Sequence, residues 1–80
     1  MRLDKYLKVS RLIKRRTVAN EACDGGRVTI NGKIAKAGSI VKENDEIEIS
    51  FGNSNVKVRV LTVKESIRKE DAKDMFEYIP

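Results

Sequence analysis

A chain of 80 residues leads to the expectation of one domain with a modest aliphatic core, burying roughly 60–65% of its unfolded surface, and its lone Cys23 excludes an internal disulfide. There is no His, no spacing of metal ligands, and no run near the ~18 apolar residues that a membrane-spanning helix needs. Charge is lopsided, because the first sixteen residues hold seven bases against the single acid Asp4, a net of +6 in a chain whose total is +5.

In chain order, Leu3, Tyr6 and Leu7 recur at i, i+3 and i+4 between Arg2 and Val9, which predicts a short amphipathic helix. A second helical pattern runs from about Arg15 to Asp24. It sets Val18, Ala19, Ala22 and Cys23 on one face and Thr17, Asn20, Glu21 and Asp24 on the other. Gly25 and Gly26 end it, since glycine takes up left-handed cap geometry without steric cost. Neither helix is long enough to persist alone, so each needs a sheet or the other helix.

Val28 and Ile30 alternate with Arg27 and Thr29, and Asn31-Gly32 follows, a pair that accepts the positive φ angles of a type I′ turn. Two strands are therefore expected to pair around Gly32. Residues 42–45 read as a turn, and Ile47, Ile49 and Phe51 alternate with Glu46, Glu48 and Ser50 as a half-buried strand. A turn at Gly52-Asn53-Ser54-Asn55 leads to a last alternation, Val56, Val58 and Val60. From about Ser66 the chain is densely charged, then apolar at Met75, Phe76, Tyr78 and Ile79. A short helix near Lys69 to Met75 is expected, followed by an extended end that docks its aromatics on the body. The fold class is thus α+β, with two short N-terminal helices on a small, mostly antiparallel sheet and a short C-terminal helix or extended tail.

Catalysis finds little support in these residues. Cys23 falls among the apolar positions of a helix, Glu46 and Glu48 fall on the solvent face of an alternating strand, and Gly25-Gly26 is a helix stop and no phosphate cradle. No cofactor is expected. The basic segment is different, because clustered cations are rewarded by polyanion backbones through counterion release. Lys14, Arg15 and Arg16 stand at the start of the second helix, where the macrodipole disfavours cations by about 0.3–1 kcal/mol each. A bound phosphate would remove that conflict. The plain alternative is that these long side chains bend into water.

Asp4 has two readings, an exposed i to i+4 partner of Lys8, slightly favoured by spacing, or a carboxylate that orients a neighbouring guanidinium. Tyr6, alone among aromatics in the basic zone, is expected in the core, so base stacking is not the main mode of binding. Lys33 and Lys36 either extend the patch or are solvated. A helix-turn-helix DNA binder fits poorly, since the segment from Ser10 to Lys14 is long for that turn and a hairpin follows.

Three strings carry a resemblance: Arg2-Leu3-Asp4-Lys5-Tyr6-Leu7, then Lys14-Arg15-Arg16-Thr17-Val18-Ala19, then Gly26-Arg27-Val28-Thr29-Ile30-Asn31-Gly32. Together they resemble the alpha-L RNA-binding motif, the domain named after the fourth protein of the small ribosomal subunit. The resemblance covers residues 1–51 as the RNA-binding core, with 52–64 an additional strand and 65–80 a C-terminal extension docked on the domain. A stand-alone version of this size is most similar to the RqcP family of bacterial ribosome-associated quality control. That resemblance implies a non-catalytic, cytoplasmic, monomeric factor that binds rRNA of the large ribosomal subunit and tRNA, next to an RqcH-type factor that directs alanine tailing. It implies RNA-facing roles for Arg2, Arg11 and Arg16, with Arg15 beside them and Lys5, Lys8 and Lys14 completing the patch. Many members of the wider family carry Ser before the Arg pair, where this chain has Lys14. The other class of function left open is a protein-interaction adaptor that uses the apolar C-terminal end, with RNA binding secondary.

Overall fold

The computed structural model describes residues 1–64 and 68–80. The chain folds as α1 (Leu3–Val9), α2 (Arg16–Asp24), β1 (Val28–Ile30), β2 (Lys33–Ile34), β3 (Glu46–Phe51), β4 (Ser54–Val60), a 3-10 helix (Lys69–Met75) and β5 (Phe76–Tyr78). The five strands form one antiparallel sheet in the order β2-β1-β3-β4-β5. This is the α+β arrangement expected from the periodicities. The start of the last stretch, expected near Ser66, lies outside the described residues.

The Asn31-Gly32 hairpin forms as its residues require, with φ of 52° and 85° at the two turn positions and Ile30 registered against Lys33. The second turn is tighter than expected. Phe51 pairs with Ser54, so Gly52-Asn53 alone makes the loop, with Gly52 at φ 60° supplying the left-handed residue that lets strand pairing resume at once. Along β3 and β4 the alternation sorts the faces: Ile47, Ile49, Val58 and Val60 are fully buried. On the other face, Glu46 meets Lys57 at 3.6 Å and Arg59 at 3.5 Å, and Arg59 donates to Glu77 at 2.8 Å.

Both helices contribute to the core with that inner sheet face, α1 through Leu3, Tyr6 and Leu7 and α2 through Ala19, Ala22 and Cys23. Val18, expected on the buried face of α2, is 45% exposed. The stripe that closes on α1 is 19, 22 and 23, and a residue one position before it is turned out by the 100° step of the helix. The small side chains of Ala19 and Ala22 leave α2 close to α1.

α1 begins without a side-chain cap. Its first amides are satisfied by the returning loop after β2: Leu3 N–H donates to Ser39 O at 2.7 Å and Asp4 N–H to Ala37 O at 3.1 Å. Its other side is fixed by Tyr6, whose hydroxyl donates to the Met75 carbonyl at 2.8 Å, an acceptor shared with Leu61 N–H. Burial pushes the Tyr6 phenol well above its ordinary pKa, so it stays a donor. Met75 is completely buried, but Tyr78, expected to dock, is 68% exposed. It lies on the edge strand, past the reach of the helices, and meets only the Phe76 ring edge-on at 5.2 Å in the ring contacts of the described residues.

Tyr6→Phe keeps the ring packing and removes one buried hydrogen bond, so it should cost about 1 kcal/mol. For a chain of this size that is a fall in Tm of about 4–8 °C, to be read by thermal denaturation. An unchanged Tm would mean that the link from α1 to Met75 contributes nothing.

Candidate nucleic-acid interface

Asp4 decides the geometry of the basic segment. It stands in the first turn of α1 and is 2% exposed, so it is not the exposed partner of Lys8 that its spacing slightly favoured. Of the second reading, a carboxylate that orients a neighbouring guanidinium for RNA, the contact with guanidinium groups is present. The Arg2 guanidinium grips the carboxylate with two donors, Nε to Oδ1 at 3.2 Å and Nη2 to Oδ2 at 3.3 Å. The Lys5 N–H donates to Oδ1 at 2.8 Å. From α2, Asn20 Nδ2 donates to Oδ2 at 3.3 Å and Arg16 Nε lies 3.5 Å from the same oxygen. Spacing within α1 could not reveal these partners, because Arg16 and Asn20 face Asp4 only once α2 has packed.

Burial by itself pushes the Asp4 carboxyl up. The hydrogen bonds from Asn20, Arg2 and Lys5 N–H, with the Arg16 charge, outweigh it and hold the group below the ordinary carboxylate value. The side chains of Arg2 and Arg16 stay 51% and 48% exposed while anchored there. They are thus held at one end and open at the other, two guanidinium groups on one carboxylate.

The other bases are placed around this pair. Lys8 is exposed in the last turn of α1, and Lys5 is half-buried one turn before it. Arg11 and Lys14 are exposed on the segment joining the helices. Arg11 has φ 65°, a left-handed conformation that ordinarily favours Gly or Asn just past a helix end. Arg15 is the N-cap residue of α2, with extended backbone, no side-chain cap and no acid in the first turn to balance the dipole. Lys33 and Lys36 are exposed on the hairpin and the following loop. Asn20, which sequence reasoning placed only on the polar face of α2, proves to be part of the centre. Its signal was the spacing of four from Arg16, which puts both on one side of the helix.

Cys23 is fully buried, and burial followed by the nearby Asp4 and Asp24 charges pushes its thiol up to about 11. It is therefore uncharged at neutral pH and no activated nucleophile. Among the described residues no group of His, Cys, Asp and Glu could hold a metal ion, and no helix is long and apolar enough to cross a membrane.

Residues 1–47, the stretch that carries both helices and the first hairpin, match the S4 domain. The chain is 60% identical to the RQC P-site tRNA stabilizing factor of Halalkalibacterium halodurans, over 96% of this chain and 88% of that protein. It is 55% identical to the factor of the same name from Bacillus subtilis, over 95% of this chain and 88% of that one. The chain belongs to the S4 domain family, among the RQC P-site tRNA stabilizing factors. This S4 domain also superposes on heat shock protein 15 of Vibrio cholerae, described as trimeric. The TM-score is 0.91 at 26% identity, covering 99% of this chain and 81% of that one. The S4 domain match includes Asp4, Arg16 and Asn20, so the carboxylate centre lies wholly within it.

Asp4→Asn should lower stability by about 1.5 kcal/mol, the low end for hydrogen bonds to a charged group, since Arg2 and Arg16 keep contact with water. A carboxyl held below its unfolded value of about 4 contributes stability above that pH, which is lost as pH falls through the folded pKa. The gap in Tm between the parent and Asp4→Asn should therefore be full at neutral pH and shrink below about pH 4. A gap independent of pH would show that the charge of Asp4 is not what holds the helices together.

Proposed function

We propose that this chain is a non-catalytic RNA-binding factor of bacterial ribosome-associated quality control. It binds rRNA of the large ribosomal subunit and peptidyl-tRNA as a monomer in the cytoplasm, and supports RqcH-directed alanine tailing of stalled nascent chains. Arg2, Arg11, Arg15 and Arg16 make the principal phosphate contacts, with Lys5, Lys8 and Lys14 adding charge.

The observation that carries this reading is the shared carboxylate. Bases that merely bend into water need no buried anchor, whereas Arg2 and Arg16 are fixed by Asp4 with half of each side chain left open. Beside them α2 begins without a cap, so backbone N–H groups and the dipole add to the attraction for a phosphate. Relatives at 60% and 55% identity carry names that specify P-site tRNA, which supports RNA as the partner. Of the apolar end that an adaptor would use, Met75 is fully buried beneath α1, and Tyr78 is 68% exposed.

Arg16→Ala should weaken co-sedimentation with large subunits by about tenfold or more. Arg15→Ala, which leaves Asp4 untouched, separates a lost phosphate contact from a loosened helix pair. With about five phosphates contacted, the log-log salt slope should fall near −3.5 to −4.5. A folded Arg16→Ala chain that co-sediments as before would overturn the assignment.

Arg11→Gly separates fold from function. Glycine relieves the left-handed backbone, so stability should rise by about 0.5–1 kcal/mol, while ribosome binding weakens. Loss of stability together with unchanged binding would assign Arg11 a purely structural role.

A further inference from the structure

Beside the carboxylate centre, along the first two turns of α2, lies an open hollow of about 410 Å³ lined by Asp4, Arg16, Thr17, Asn20 and Glu21. Its size falls within the range of small-ligand sites. The Asp4 charge is already met by Arg2 and Arg16, and Glu21 adds a second carboxylate to the wall, so the hollow carries no excess of positive charge to draw a phosphate. The chemistry of the wall is a mixture of donors and acceptors. Asn20 commits its Nδ2 to Asp4 Oδ2 at 3.3 Å, which leaves its Oδ1 as an acceptor. Glu21 is exposed and offers two further acceptor oxygens, Thr17 offers a hydroxyl, and the Arg16 guanidinium, 48% exposed, offers donors and a flat stacking surface.

A wall of that kind matches the edge of a nucleobase, and the bases differ in how well they meet it. Guanine alone places two adjacent donors, N1–H and N2–H, on its Watson–Crick edge, the spacing that a carboxylate accepts with both oxygens. Its O6 can then accept from Thr17 or Arg16. Adenine would set its unprotonated N1 against the carboxylate. We propose that this hollow is a guanine subsite, receiving a base unstacked from the RNA, with Glu21 across N1–H and N2–H and Arg16 against the ring. The proposal rests on the RNA-binding reading and extends it. The plane of the Arg16 guanidinium takes the base, while its N–H edge and Arg2, Arg11 and Arg15 take backbone phosphates.

The test is an amide chemical-shift titration of the full chain with GMP, AMP and inorganic phosphate. GMP should move the signals of Thr17, Asn20 and Glu21 saturably, with an affinity about fivefold or more above that of AMP, the low end for one bidentate base contact. Glu21→Gln, at an exposed position, should keep the fold and bring GMP down to the level of AMP. Equal responses to GMP and AMP, no saturable response to GMP, or reproduction of the same shifts by phosphate alone would each overturn the guanine subsite. Co-sedimentation of the parent chain with large subunits, run alongside, keeps the outcomes apart. Retained ribosome binding without a guanine preference sinks only the subsite, whereas ribosome binding indifferent to Arg15 and Arg16 sinks the RNA reading itself.

Discussion

Asp4 carries a charge at 2% exposure, and a carboxylate so placed without partners would be disfavoured by on the order of several kcal/mol. Its two oxygens instead collect donors from three sources: the Arg2 side chain at the helix entry, the Lys5 backbone, and Arg16 with Asn20 from the second helix. The cost of burial thereby becomes a geometric constraint. The helices can be parted only by taking Arg16 and Asn20 away from the carboxylate, which leaves it with Arg2 and the Lys5 N–H alone. Two helices of seven and nine residues, too short to stand alone, acquire a defined mutual position in this way.

Everything behind α1 serves to hold that constraint in place. The loop after β2 supplies backbone acceptors for the first amides of α1, and Asp24 at the far end of α2 accepts from Ala37 N–H of the same loop at 3.3 Å. Tyr6 reaches through the core to Met75, so the C-terminal segment bears on the helix from the sheet side. On the solvent side of the helix pair Arg2 and Arg16 partner Asp4, and Lys8, Arg11, Lys14 and Arg15 are exposed around them. The sheet pairs its charges across strands, whereas on the helix side a single carboxylate, Asp4, is shared by Arg2 and Arg16, so net positive charge gathers at that end of the chain.

Most of the architecture was legible in the residues because it follows from local rules. Asn31-Gly32 dictates its turn, the alternations at 46–51 and 56–60 dictate which strand face is buried, and the spacing of Leu3, Tyr6 and Leu7 dictates the inner face of α1. The patch was legible too, as charge. Its organisation was not: the spacing of four sets Arg16 and Asn20 on one side of α2, but nothing in either helix says that this side meets Asp4, a contact made only when the helices pack. The same limit explains Val18 and Tyr78. An apolar residue at the margin of a helical stripe, or on an edge strand beyond the helices, has no local rule that says whether a neighbour will cover it.

Three departures from local preference remain, and all lie on the same face. Arg11 holds a backbone angle suited to glycine, Arg15 and Arg16 open a helix where an acid or a hydroxyl would be favoured, and Asp4 is a charge withdrawn from water. The first two cost a small domain with little stability to spare, and the third is tolerated only because Arg2, Arg16, Asn20 and the Lys5 N–H surround it. Sequences that otherwise agree with their fold at every level tend to break such rules where function demands it. A solvated run of lysines and arginines would need neither a strained turn nor a buried anchor. Their coincidence at the helix pair is what the proposed RNA-phosphate surface would need beyond basicity alone.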